Sequence, residues 1–104
     1  MLYQGAIDFL RRANAHVKKG QMAEKGIYIS KAHAIICELL SSLEKDGGGN
    51  LVQTLEALYR FMLEKLMEAH IFNNTKIIDD VISLLHTLKE GWDGAVAQVR
   101  KEGV

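Results

Sequence analysis

The side chains with chemistry to offer in this chain are four histidines and one cysteine, with three consecutive glycines as the only phosphate-loop candidate. His33 and Cys37, four apart, share one face of any helix that holds them and supply two corners of a metal site; two ligands do not make one. A di-iron carboxylate bundle needs Glu three residues before each of two inward histidines, whereas Met67 precedes His70 and Ser83 precedes His86 at that spacing. Gly47-Gly48-Gly49 follows no strand pattern, so the glycines read as a joint between helices and not as a phosphate cradle. No nucleophile is paired with a base. The residues point to a non-enzyme with neither metal nor cofactor.

The elements that hold these residues follow from composition and period. With 104 residues the chain is long enough for one core and too short for two, and residues 1–104 read as a single helical-bundle domain. Apolar residues make up 48% and charged residues 25%, far from the composition of disorder. Thirteen basic and thirteen acidic residues cancel, which removes the electrostatic footprint of a nucleic-acid binder. A lone Cys37 excludes an internal disulfide and fits a reducing compartment, hence the cytoplasm. No apolar run approaches the roughly 20 residues that cross a bilayer, and the start has no signal-peptide pattern, so no membrane insertion is expected. The absence of proline permits long unbroken helices.

Helical stripes recur throughout. Tyr3, Ala6, Leu10, Ala13 and Val17 fall at spacings of three and four, predicting a first helix from Leu2 to Lys19 that stops at Gly20, with Leu2, Ile7 and Phe9 apolar beside the stripe. Ile29, Ala32, Ile36, Leu39 and Leu43 mark a second helix, Met22 to Leu43. Leu51, Leu55, Leu58, Met62, Leu66 and Ala69 mark a third, Leu51 to Ile71, with Asn50 as its N-cap. Asn74 or Thr75 caps a fourth, whose seam runs Ile78, Val81, Leu85, Leu88, Trp92, Ala95, Val99; the last five residues are expected to fray. Short connections force antiparallel neighbours, which makes the fold class all-α, an antiparallel up-down four-helix bundle.

Each helix of such a bundle needs one apolar stripe, and these helices have more. Tyr28 and Ile35 form a second ridge on helix two; Val52, Tyr59 and Leu63 do so on helix three; Leu2, Tyr3, Ile7 and Phe9 crowd the start of helix one. Surplus strips of this kind receive the apolar face of a partner helix, and tyrosines at their edges combine a rigid apolar body with a polar tip. The nine residues are the expected partner-binding set.

Met1-Leu2-Tyr3-Gln4-Gly5-Ala6-Ile7-Asp8-Phe9-Leu10 resembles the opening of the first long helix in the FliS family of flagellar secretion chaperones, which reads L-Y-D-G-A-I-x-F-L. Lys31-Ala32, Ile35-Ile36-Cys37-Glu38-Leu39, Gly48-Gly49, Leu58-Tyr59, Phe61-Met62, Leu84-Leu85 and Trp92 follow in that family's order. The resemblance covers nearly the whole chain and implies a cytoplasmic, ATP-independent chaperone. Its implied partner is the disordered C-terminal segment of flagellin, kept from early polymerisation and brought to the flagellar type III export gate. Gln4 replaces the family's Asp. Relatives carry a further N-terminal segment that folds over the bundle as a cap, and this chain starts where that segment ends, so its uncapped apolar surface is expected to favour self-association. A rival resemblance is to histidine phosphotransfer domains, whose His-x-x-Lys-Gly pattern His16, Lys19 and Gly20 fit; it would make His16 a phosphoryl acceptor. Gly20 reads as a helix terminator, which places His16 in a last turn, solvated, and not mid-helix as that family has it.

Overall fold

The structure, a computed structural model, describes residues 2–45 and 49–102, with side-chain surroundings for all of these except 44, 45 and 92–102. It contains four helices, α1 (Leu2–Lys18), α2 (Met22–Lys45), α3 (Asn50–Phe72) and α4 (Thr75–Glu102). They form a closed ring in chain order, α1 lying on α2 and α4, and α3 on α2 and α4, with no backbone contact across either diagonal among the described residues. This is the up-down four-helix bundle that the short connections demand.

The helix ends show why the chain turns where it does. Gly20 adopts φ 74°, and the paired bonds Gln21 N–H to His16 C=O (2.8 Å) and Gly20 N–H to Val17 C=O (3.0 Å) close α1 in a Schellman motif. Asn73, at φ 54°, ends α3 in the same left-handed region. Asn74 then caps α4, its Oδ1 accepting from the N–H groups of Lys76 (3.0 Å) and Ile77 (3.2 Å). Two expectations shift. Gly49 and not Asn50 is the cap residue of α3, and it offers no side-chain bond; Asn50 already lies inside the helix, where its carbonyl accepts from Thr54 Oγ1. The fourth helix extends to Glu102, beyond the point at which fraying was expected.

The core takes Ala6, Leu10 and Ala13 from α1, Ile29, Ala32 and Ile36 from α2, Met62, Leu66 and Ala69 from α3, and Ile78, Val81 and Leu85 from α4, as the stripes foretold. Ile7 and Tyr59, placed outside the stripes by periodicity, are also buried, while Leu51, placed inside one, is 70% exposed. The reason is one of level. Tyr3 meets Tyr59 across the core, so α1 begins only beside the ninth or tenth residue of α3, and the first turns of α3 have no α1 opposite them. The seam residues Trp92, Ala95 and Val99 lie outside the described side chains.

Among the described residues, polar ties cross between helices from α1 to α4, from α1 to α3 and from α2 to the end of α3. Asn14 donates through Nδ2 to Asp79 Oδ1 (2.6 Å), joining α1 to α4, and the Tyr3 and Tyr59 hydroxyls bond to each other. Lys25, only 4% exposed, donates from Nζ to the carbonyl of His70 (2.9 Å) and to Oδ1 of Asn73 (2.5 Å). A buried ammonium is costly unless its donors are met, and here it meets the negative end of the α3 dipole and caps two of its acceptors. Lys25→Met should therefore lower the unfolding free energy by about 1.5–3 kcal/mol, the range for hydrogen bonds to a charged group. Urea titration checks this, with a lower midpoint at unchanged slope as the expected result.

Candidate functional site

The structure divides the nine residues expected to face a partner into three sets. Leu2, Phe9, Tyr28 and Ile35 lie along the outer seam between α1 and α2; Leu2 is 42% exposed and the others half-buried. Val52 and Leu63, also half-buried, share a line on α3 with His70, spaced at whole numbers of turns, and this line borders the α2–α3 seam. Tyr3, Ile7 and Tyr59 form the floor beneath: Ile7 is 1% and Tyr59 2% exposed, and Tyr3 is half-buried with its hydroxyl engaged. Ile7 and Tyr59 therefore present no outer surface.

The α1–α2 seam is built from two heptad lines running in opposite directions. On α1 the line is Leu2, Phe9, His16; across from it runs Ile35, Tyr28, Gln21. The Phe9 and Tyr28 rings lie 6.0 Å apart at 32°, and the His16 ring stacks on Tyr28 at 5.3 Å and 7°. His16 Nδ1 donates to Gln21 Oε1 at 2.7 Å. At the Leu2 end Gly5 lies beside Ile35, where a Cβ would meet Ile35 Cδ1 at an ordinary contact distance of 3.5 Å. Arg12 lies over the Tyr28 ring at 5.6 Å, and Lys31 lies over Phe9 at 5.5 Å and Tyr28 at 5.6 Å.

The α2–α3 seam differs in chemistry. Ile29, Ser30, His33, Met67 and His70 line an open cleft of about 160 Å³ there, and the Cβ of a residue replacing Gly26 would press on the His70 ring at 3.1 Å. His33 Nδ1 lies 3.6 Å from Cys37 Sγ, as their shared face requires. Among the described residues no group of three or more His, Cys, Asp or Glu converges as metal ligands would. Sequence reasoning passed over Met67, 53% exposed, and Phe61, 45% exposed, because both lie off the heptad lines. Their signal was bulk apolar residues next to a stripe.

His16 is half-buried, not solvated, in the last turn of α1. Its ring face is taken by Tyr28 and one ring nitrogen by Gln21. One face and Nδ1 of the imidazole are thus used in holding the seam together.

The sequence that builds this geometry is similar to known proteins. A family model described as Flagellar protein FliS matches residues 1–99. The chain belongs to the FliS family. It is 40% identical over 94 residues to the flagellar secretion chaperone FliSB of Pseudomonas aeruginosa, covering 90% of this chain and 75% of that one. The flagellar secretion chaperones FliS of Vibrio cholerae and Salmonella typhimurium are 36% and 34% identical, over 89% and 88% of this chain and 68% and 69% of theirs. The FliS match begins at residue 1 and so takes in the whole of α1 with its seam residues and the Tyr3–Tyr59 floor. Among the described residues of this FliS member, no helix is long and apolar enough to cross a membrane.

The floor has a titration signature. Burial pushes the Tyr59 hydroxyl well above the ordinary tyrosine range, and its bond to Tyr3 and the charge Tyr3 would carry push it further. The folded chain thus holds a proton that the unfolded chain, with a tyrosine pKa of about 10, gives up sooner. Stability from this group is complete below about pH 10 and is lost as pH rises through and beyond it, by up to about 1.4 kcal/mol per pH unit. Tyr59→Phe should flatten that alkaline decline relative to the parent chain, as measured by urea unfolding at stepped pH.

Proposed function

We propose that this chain is a cytoplasmic flagellar export chaperone that binds the disordered C-terminal segment of flagellin, keeps it from polymerising and hands it to the type III export gate. The reading is carried by one observation: in a chain of the FliS family, Leu2, Phe9, Tyr28 and Ile35 lie along a single outer seam with their apolar surfaces only half covered. A segment that is disordered alone and amphipathic when helical has the matching face. It folds as it docks, and burial along the seam offsets the cost of ordering it. Val52 and Leu63 extend the apolar path to the next seam, so one segment can continue around the bundle with Tyr3, Ile7 and Tyr59 stiffening the floor beneath it. Occupying the segment's apolar face blocks the contacts by which it would assemble. No step in this requires a nucleotide, a metal or bond-making chemistry, and the protein is read as a non-enzyme.

Calorimetric titration with a flagellin C-terminal peptide should release or absorb heat, with a gain of helix by circular dichroism; silence in both would sink the reading. Phe9→Ala and Leu63→Ala should each weaken binding about tenfold or more, the usual cost of truncating a well-packed anchor. Tyr59→Ala is the wrong probe because it hollows the core. If the same strips serve a homodimer instead, light scattering should find a dimer that persists when the peptide is added.

A further inference from the structure

The neutral total charge conceals a division along the chain. Residues 1–31 hold six of the thirteen basic residues and two of the thirteen acidic ones, a net charge of +4, and the remainder carries −4. The two parts also use their charges differently. On α3 and α4, Arg60 pairs with Glu56 (3.1 Å), Lys65 with Glu68 (3.2 Å) and Lys76 with Asp80 (3.5 Å), each within its own helix. Among the described residues no carboxylate lies within ion-pair reach of Arg12 or Lys31. The carboxylate nearest in sequence to Arg12, Asp8, instead accepts a hydrogen bond from Gln4 at 2.9 Å.

Arg12 and Lys31 are held by the Phe9 and Tyr28 rings. A cation over a ring face is positioned without being neutralised, so its N–H donors stay available for an incoming carboxylate. This places two oriented cations, with no carboxylate in ion-pair reach among the described residues, over a half-buried aromatic pair. We infer that the α1–α2 seam is a docking site for an acidic amphipathic segment of a protein partner, whose apolar residues lie along the line of Leu2, Phe9, Tyr28 and Ile35 and whose flanking Asp or Glu side chains meet Arg12 and Lys31. On α3 the cation over a ring, Lys65 over Phe61 at 5.6 Å, is paired with Glu68 at 3.2 Å, so it lacks the uncompensated charge of Arg12 and Lys31. The inference rests on the proposal that the outer seams receive helical segments, and adds which chemistry one of them selects.

The test uses the full chain and two synthetic amphipathic peptides with the same leucine face, one flanked by Glu and Asp, the other by Lys and Arg, followed by fluorescence anisotropy. At low salt the acidic peptide should bind about tenfold more tightly, the joint effect of two exposed ion pairs, and the advantage should shrink as salt screens them. An Arg12→Gln/Lys31→Gln variant should bind both peptides alike. A Lys18→Gln/Lys19→Gln variant, with the same loss of charge away from the seam, should keep the preference. Equal binding of both peptides, or equal loss of preference in both variants, overturns the inference. A flagellin C-terminal peptide run in the same assay separates the two ideas: if it binds while the synthetic pair is not discriminated, only the charge selectivity fails, and if it does not bind while the acidic preference holds, only the flagellin reading fails.

Discussion

The register of α1 is the constraint on which the rest of this bundle depends. Tyr3 and Asn14 are eleven residues apart on α1, about 16 Å along its axis, and each makes a polar bond to a different helix, Tyr3 to Tyr59 of α3 and Asn14 to Asp79 of α4. Leucine and alanine contacts alone tolerate a slide of one turn, about 5.4 Å, because the stripe repeats at nearly that distance. The polar bonds do not. A slide strands the buried Tyr59 hydroxyl and the Asn14 amide together, each at a cost of about 1–3 kcal/mol. Asn14 Oδ1 has no hydrogen-bond partner among the described residues, so the amide is held through its Nδ2 bond to Asp79.

What α1's register sets is the seam. With Tyr3 level with Tyr59, Phe9 comes level with Tyr28 and Gly5 with Ile35, so two heptad lines that are each only half covered meet edge to edge. The side chains that close the seam near the turn, His16 on Tyr28 and Gln21 on His16, are polar and aromatic rather than aliphatic. They hold the helices together without adding apolar cover. The result is a strip rigid enough to present a fixed shape, still exposed enough to gain from being covered, and rimmed by cations. A rigid strip adds no ordering entropy of its own to that of a segment that folds on it, as the proposed function requires.

Where most of the candidate residues sit was legible in the sequence, and for some it was not. Tyr28 and Ile35, and Val52 and Leu63, stood out because they are apolar on the flank of a stripe, and the flank of a stripe is where a seam lies. Tyr59 stood out for the same reason and is instead core. Its hydroxyl found a buried partner in Tyr3, fifty-six residues away in sequence, and no local pattern announces a bond of that kind. Ile7 went inward because α1 is gripped from both sides by α2 and α4, which widens its buried face beyond one stripe. The division of charge was in the sequence throughout, but a zero total hid it.

Period, spacing and the positions of Gly20, Asn73 and Asn74 determined four helices, their turns and hence their antiparallel order, because these depend on interactions within a few residues along the chain. The family, too, was written in the order of short motifs. Only the tertiary structure decided which surplus apolar residues become core and which remain surface, that Arg12 and Lys31 settle on rings and not on carboxylates, and that Lys25 can be buried at the end of α3. Each of those outcomes is set by a partner on another helix, at a level along the bundle that no single helix's pattern contains.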